Sequence, residues 1–175
     1  MGLGIKRRFI EIAEHAALSP LVGMKVRWRV LRVLGWRELE HSHIKSGCVL
    51  NGHKLKTGDG CYFNRQVFID ASAQVTMGSH VQIGPRAMVL TATHRVGTPD
   101  VRGGEPWNRP VTIGDGCWIG AGAIIMPGVN VASGCIVGAG AIVTKDTQPD
   151  GIYAGVPAQR VRDLEPIGTT AAAGL

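Results

Sequence analysis

The sequence predicts an all-β solenoid of parallel strands, and three observations carry that prediction. Aliphatic residues recur every six positions, small residues follow each of them four places on, and glycine supplies 25 of 175 residues. A helix would space its apolar residues at three and four, and an ordinary strand at two. Period six fits neither.

From Ile113 the chain divides into hexads that open on Ile113, Ile119, Ile125, Val131, Val137 and Val143. Their fifth positions hold Cys117, Ala123, Val129, Cys135, Ala141 and Thr147, and glycines such as Gly114, Gly120, Gly128 and Gly140 fill second or fourth places. Each hexad therefore reads as a short strand followed by a tight corner. A second block opens on Met77, Ile83 and Val89, and a third, offset by two, on Thr57, Phe63, Ile69 and Val75. The offset places a two-residue insertion near Val75, at a corner. No single hexad can bury its apolar residue, so the core has to come from stacking, as in a hexapeptide β-helix. If three hexads close a triangular coil of about 18 residues, Cys117 and Cys135 become vertical neighbours in the lumen.

Ahead of the solenoid, residues 5–16 read as one helix, stopped before Ser19-Pro20, and residues 21–34 as a second, halted by Gly35. On the second, Val22, Val26, Val30 and Val33 form an apolar stripe beside Lys25, Arg29 and Arg32. That stripe is expected to pack on the rest of the protein. The division is then 1–43 for a helical N-terminal segment, 44–148 for the β-helix with a protruding loop at 95–110, and 149–175 for a C-terminal extension. The stretch Gly168 to Leu175 is a low-complexity tail.

A hydrophobic content of 45% against 18% charged suits one domain with its own core. The net charge of +6 traces to Lys6, Arg7, Arg8, Lys25, Arg27, Arg29, Arg32 and Arg37. No nucleic-acid motif accompanies them, so the cluster is expected to be a solvated face. Glu11 and Glu14 interrupt any signal-peptide core, and no apolar run approaches the ~20 residues of a membrane span, so a cytoplasmic location is the expectation. Cys48, Cys61, Cys117 and Cys135 lack CxxC spacing, which argues against a zinc site or disulfide framework and for core filling. The segment 95–110 has no period at all. With Trp107 and several prolines, it is expected to be ordered and functional.

The run from Val111 to Val129 (Val-Thr-Ile-Gly-Asp-Gly-Cys-Trp-Ile-Gly-Ala-Gly-Ala-Ile-Ile-Met-Pro-Gly-Val) continues in Val137-Gly-Ala-Gly-Ala-Ile-Val-Thr-Lys-Asp and Ala154-Gly-Val-Pro-Ala. Together these resemble the hexapeptide-repeat acyltransferases over about residues 44–163. Within them the chain is most similar to the galactoside, maltose and nodulation-factor O-acetyltransferase branch and to polysaccharide-biosynthesis acetyltransferases. The resemblance implies a left-handed parallel β-helix, a homotrimer with active sites at subunit interfaces, acetyl-CoA as co-substrate, no metal, and a sugar or other small hydroxylated acceptor.

It also implies roles for particular residues. His94, in Thr91-Ala-Thr-His-Arg, matches the family's general base, chemistry that suits imidazole because its pKa lies near the working pH. Asn64 matches an acceptor contact, and Trp107 in the loop is grouped with it as substrate-binding. Coenzyme A contacts map to Trp118, Ala121, Ala139, Thr144, Lys145 and Arg160. The family's usual basic residue after Gly-Val-Pro-Ala is replaced here by Gln159, which makes Arg160 the nearest cation. The separation of Asn64 from His94 corresponds to neither one coil nor two, so within one chain they are expected on different corners, and a site using both needs two subunits. Asp70 is not placed in the site by the resemblance, and His15, His41, His43, His53 and His80 read as structural.

Other readings compete. A γ-class carbonic anhydrase would need two histidines five residues apart, and none here are so spaced. A non-catalytic scaffold, or transfer to serine or an antibiotic hydroxyl, are the remaining alternatives.

Overall fold

The computed structural model describes residues 2–165, with side chains from Arg8 onward. The tail from Gly168 to Leu175 and the side chains of Lys6 and Arg7 lie outside the described residues. In chain order the elements begin with helices α1 (Gly2–Leu18) and α2 (Arg27–Val33). Strands β1 (Ser42–Ile44), β2 (Val49–Asn51), β3 (Leu55–Thr57), β4 (Cys61–Phe63), β5 (Phe68–Asp70), β6 (Val75–Met77), β7 (Gln82–Ile83) and β8 (Met88–Val89) follow. Next come β9 (His94–Val96), β10 (Gly103–Pro106), β11 (Val111–Ile113), β12 (Trp118–Ile119), β13 (Ile124–Ile125) and β14 (Asn130–Val131). The last four are β15 (Ile136–Val137), β16 (Ile142–Val143), β17 (Gly151–Ala154) and β18 (Gln159–Asp163).

Successive strands go to successive walls of a triangular prism. The first wall runs β1-β4-β7-β12-β15-β17, with β18 folded antiparallel against its end. The second runs β2-β5-β8-β13-β16 and the third β3-β6-β11-β14. Every other pairing within the walls is parallel, and Trp118 lies opposite Ile136 with Ile119 opposite Val137. Parallel strands must have both their ladder edges filled, and here each coil does this for the next.

The hexad rule explains the core. First-position residues Ile113, Ile119, Ile125, Val131, Val137 and Val143 are all buried, and so are the fifth-position Cys117, Ala123, Val129, Cys135, Ala141 and Thr147. Two inward residues per hexad, one large and one small, fill a lumen too narrow for two large ones. Burial of each aliphatic side chain is worth about 1.5–3 kcal/mol against exposure. Cys117 stacks on Cys135 as expected, and all four cysteines are free and buried.

The extra residues near Val75 sit in the corner between β5 and β6. That corner, between the second and third walls, is also lengthened in the first coil by Gly52–Lys54, and in the third coil it opens into the 91–110 segment. The three enlarged corners are bonded to one another: Ala71 N–H donates to Asn51 O (2.7 Å), and Ala73 N–H to Thr91 Oγ1 (2.9 Å).

The N-terminal segment departs from expectation. Its second helix is only Arg27–Val33, because Pro20 and Gly23 hold the preceding residues in turns. Only part of the valine stripe packs: Val30 lies partly buried against the core and Val22 is partly buried, but Val26 and Val33 are exposed, and the fully buried residues of this helix are Arg27 and Leu31. The Arg27 guanidinium caps the end of α1 through Ala17 O (3.1 Å) and Ser19 O (2.7 Å) and reaches Ile44 O of β1 (2.6 Å). Three carbonyl acceptors offset the cost of burying that charge. Glu14 adds a second tie between α1 and the first coil, its Oε1 meeting Trp36 Nε1 (2.8 Å) and His53 Nε2 (2.7 Å).

Candidate active site

The 91–110 segment leaves the prism as a β-hairpin, β9 antiparallel to β10. Its strands read as a loop in the sequence because neither alternates apolar with polar residues. Two backbone bonds staple its base to the solenoid side: Trp107 N–H to Thr93 O and Arg109 N–H to Thr91 O, both 2.8 Å. Within it Gly104 approaches its opposite strand so closely that a Cβ there would meet Arg95 O at 2.9 Å and Gly97 Cα at 3.1 Å.

That close approach sets His94. Its ring lies exposed at the hairpin base with Nδ1 2.8 Å from Gly104 O. A carbonyl can only accept, so Nδ1 carries the proton and the Nε2 lone pair is left as the basic site. Nε2 has no hydrogen bond among the described residues. An imidazole in this tautomer can accept a proton at Nε2.

Asp70 fixes the chain just before His94. Its carboxylate accepts from Ala92 N (2.6 Å), Thr91 N (3.1 Å), and Ser72 Oγ (2.5 Å) and N (3.2 Å). Burial opposes ionisation of this group, but the hydrogen bonds from Ser72, Ala92 and Thr91 outweigh it and hold the carboxyl below its usual range. Asp70 thereby positions the chain that leads into His94. The sequence did not place it in the site, and of its donors only Ser72 is near it in the chain, while Thr91 and Ala92 arrive from the next coil.

The other expected site residues divide between two edges of the prism. Asn64 follows β4, at the corner between the first and second walls, partly buried and with Oδ1 accepting from Arg65 N (2.8 Å). Ala121 and Ala139 occupy that same corner in later coils, both exposed, and the ladder Asn64 N to Ile83 O, Gly84 N to Ile119 O and Gly120 N to Val137 O joins them. Gly120 is required there: a Cβ would meet Ala139 N at 2.6 Å and Gly138 C at 2.7 Å. Trp118 stands on the adjoining first wall with its ring half open to solvent. His94, Thr144 and Lys145 belong to the other corner, between the second and third walls, where Leu90 N bonds Ile125 O and Met126 N bonds Val143 O. Within one chain Asn64 and His94 are thus on different corners, as their spacing requires.

An extended thioester arm suits the first of these edges. Ala121 and Ala139 present only methyl groups beside backbone, and Trp118 borders them with a flat apolar face. Lys145, exposed on the second edge, has the point charge that a phosphate needs. Arg160 is differently engaged. Its guanidinium donates to Gln148 O (3.0 Å), Pro149 O (3.0 Å), Asp150 O (3.2 Å), Tyr153 Oη (3.2 Å) and Asp163 Oδ1 (2.5 Å), pinning β18 to the preceding turn. Trp107 is exposed on the hairpin with Arg95 Cζ 4.7 Å and Arg109 Cζ 5.0 Å from its ring centre. Neither arginine was singled out in the sequence, because nothing in the spacing shows them converging on one indole. Among the described residues no group of three or more His, Cys, Asp or Glu side chains converges as a metal site.

Comparison with known proteins agrees with this geometry. Residues 110–145 match the family described as hexapeptide repeat of succinyl-transferase. A Saccharomyces cerevisiae protein described as an acetyltransferase is 34% identical over 160 residues, covering 91% of this chain and 81% of its own. The galactoside O-acetyltransferase of Escherichia coli is 35% identical over 65% of this chain and 56% of its own. Among solved structures, a hexapeptide-repeat acetyltransferase of Vibrio cholerae complexed with acetyl coenzyme A superposes with a TM-score of 0.81. It is 27% identical and covers 94% of this chain and 91% of its own. The matched stretches of several curated relatives span between 47% and 60% of those relatives' lengths. On its fold, its repeats and these likenesses, the chain belongs to the hexapeptide-repeat acetyltransferase family.

Proposed function

We propose that this protein is an acetyl-CoA-dependent O-acetyltransferase that acylates a hydroxyl of a sugar or other small hydroxylated molecule. The observation that carries the reading is His94, tethered through Nδ1 to Gly104 O and exposed at the foot of the hairpin. Nε2 takes the proton of the acceptor hydroxyl as its oxygen forms the new ester bond. The same proton then goes to the departing sulfur as the carbon–sulfur bond breaks. Acetyl-CoA supplies an acyl group already activated as a thioester, along the edge formed by Trp118, Ala121 and Ala139, with Thr144 and Lys145 on a neighbouring copy's edge.

The two-edge division favours a homotrimer in which one subunit's Asn64 edge faces another's His94 edge. A positioned base contributes roughly 100- to 10,000-fold, which is the share asked of His94. No described helix is long and apolar enough to cross a membrane, and we place the reaction in the cytoplasm, where acetyl-CoA is made. The test is thiol release from acetyl-CoA across a panel of sugars and other hydroxylated acceptors. Release that needs both acceptor and His94 supports the reading, and none with any acceptor would favour a non-catalytic scaffold.

A further inference from the structure

The guanidinium of Arg27, which closes the end of α1, also lines an open cleft of about 310 Å³. The turn at 20–24 contributes to the cleft from the helical segment. Lys45, Ser46 and Arg65 contribute from the corner between the first and second walls, in its first two coils. No acid lines this space, and among the described residues none of its three cations forms a salt bridge. Arg27 is only 4% exposed. Its three carbonyl partners occupy three of the five N–H donors of a guanidinium and leave two. Carbonyls satisfy its hydrogens without cancelling its charge. Burial lowers the Arg27 pKa from its usual value, Cys48 opposes that change, and the Arg65 charge adds to it, so the two guanidinium groups repel each other. The Lys45 Nζ lies 5.7 Å from the centre of the Tyr62 ring, and the Ser46 hydroxyl has no hydrogen bond among the described residues. Gathering like charges around a buried one is costly unless an opposite charge joins them.

We propose that this cleft is a phosphate-binding site formed by Arg27, Lys45, Ser46 and Arg65. A phosphate monoester carries about −1.5 to −2 charge at pH 7 and three acceptor oxygens, a closer match to three cations and a hydroxyl than a single carboxylate. The cleft opens at the Asn64 end of its edge, two coils before Ala121, and its phosphate is assigned to a ligand other than acetyl-CoA. A soluble phosphate ester and a lipid headgroup offer the same chemistry here. The site is independent of the transferase reading, since nothing in it requires acyl transfer.

Calorimetric titration of inorganic phosphate and of glycerol 3-phosphate, at constant ionic strength, tests this on the full chain. We expect saturable binding that Lys45→Gln and Arg65→Gln each weaken by about tenfold. Arg27 is left intact, because its carbonyl contacts hold α1 to the first coil. Arg86→Gln is the control: it removes one charge from the same edge but outside the cleft, and should bind phosphate as the wild type does. Cosedimentation with vesicles of phosphatidylcholine, alone or with phosphatidic acid, separates the two sources. Retention on the phosphatidic acid vesicles only, lost in Arg65→Gln and kept in Arg86→Gln, sustains the site with a lipid as its ligand. Glycerol 3-phosphate binding without cosedimentation sustains it with a soluble ester. Failure of every probe to bind would overturn the proposal, as would equal weakening by Arg86→Gln. Displacement of bound phosphate by acetyl-CoA would give the cleft to the cofactor and end the case for a separate ligand.

Discussion

Asp70 and Thr91 are joined three times: the carboxylate accepts from Thr91 N (3.1 Å) and Oγ1 (3.2 Å), and the Asp70 carbonyl also accepts from Oγ1 (2.9 Å). A residue in one coil thereby fixes the last residue of the next coil before the hairpin departs.

Asp70→Ala leaves buried donors without a partner, and each such group costs about 1–3 kcal/mol. The pH dependence follows from the lowered carboxyl pKa: burial is the largest single influence and works against the lowering, but the hydrogen bonds together exceed it. A depressed folded pKa means the stabilisation is complete above the unfolded value of 3.8 and is lost as pH falls through the folded value. Urea midpoints should therefore hold steady from neutrality to about pH 5 and decline below pH 4, with a flatter acid limb in Asp70→Asn. Identical acid limbs in the two proteins would remove Asp70 from this account.

His94→Ala should lower turnover by about 100-fold or more while leaving the assembly intact by size-exclusion chromatography. Gly104→Ala tests the tether separately, because its Cβ would press on Arg95 O and Gly97 Cα and push the strands apart. Misplacing a base by an ångström costs on the order of 10- to 100-fold in kcat. Unchanged kcat in both variants would refute the mechanism.

Asn64→Ala and His94→Ala subunits, each nearly inactive alone, should recover part of the activity when unfolded together and refolded. If the protein assembles as the proposed homotrimer, some interfaces of a mixed assembly would receive an intact Asn64 edge and an intact His94 edge. A mixture no more active than its parts would count against a shared site.

The cysteines should resist labelling. Burial raises the Cys48 and Cys117 thiols to about 11 and pushes Cys61 upward as well, so little thiolate exists at pH 8. Ellman's reagent should find close to none of the four in the folded protein and all of them in guanidinium. Fast labelling of Cys117 in the native state would contradict the packed lumen.

The walls of the prism were readable from Ile113 onward because stacking demands one aliphatic and one small residue in each hexad, a constraint local enough to print itself on the chain. The different corners of Asn64 and His94 follow from the same arithmetic. Other features have no such imprint. Arg27 is a residue type that is almost never buried, and its burial depends on three carbonyls brought together from α1, the following turn and β1. Val26 and Val33 satisfy helical spacing, but turns at Pro20 and Gly23 rotate the short helix so that Leu31 faces inward. Asp70 gains its role only when its coil stacks beneath Thr91, and the pairing of His94–Val96 with Gly103–Pro106 depends on a glycine approach that no periodicity announces.

The enlarged corner between the second and third walls has a wider consequence. Val75 faces Val111 and Met77 faces Ile113 in unbroken register, although the hairpin intervenes between β8 and β11. The chain can thus be lengthened at this vertex without disturbing the ladders. The hairpin is in effect an interchangeable cassette: a relative's version could be spliced between Leu90 and Val111 while the scaffold that folds beneath it stays the same.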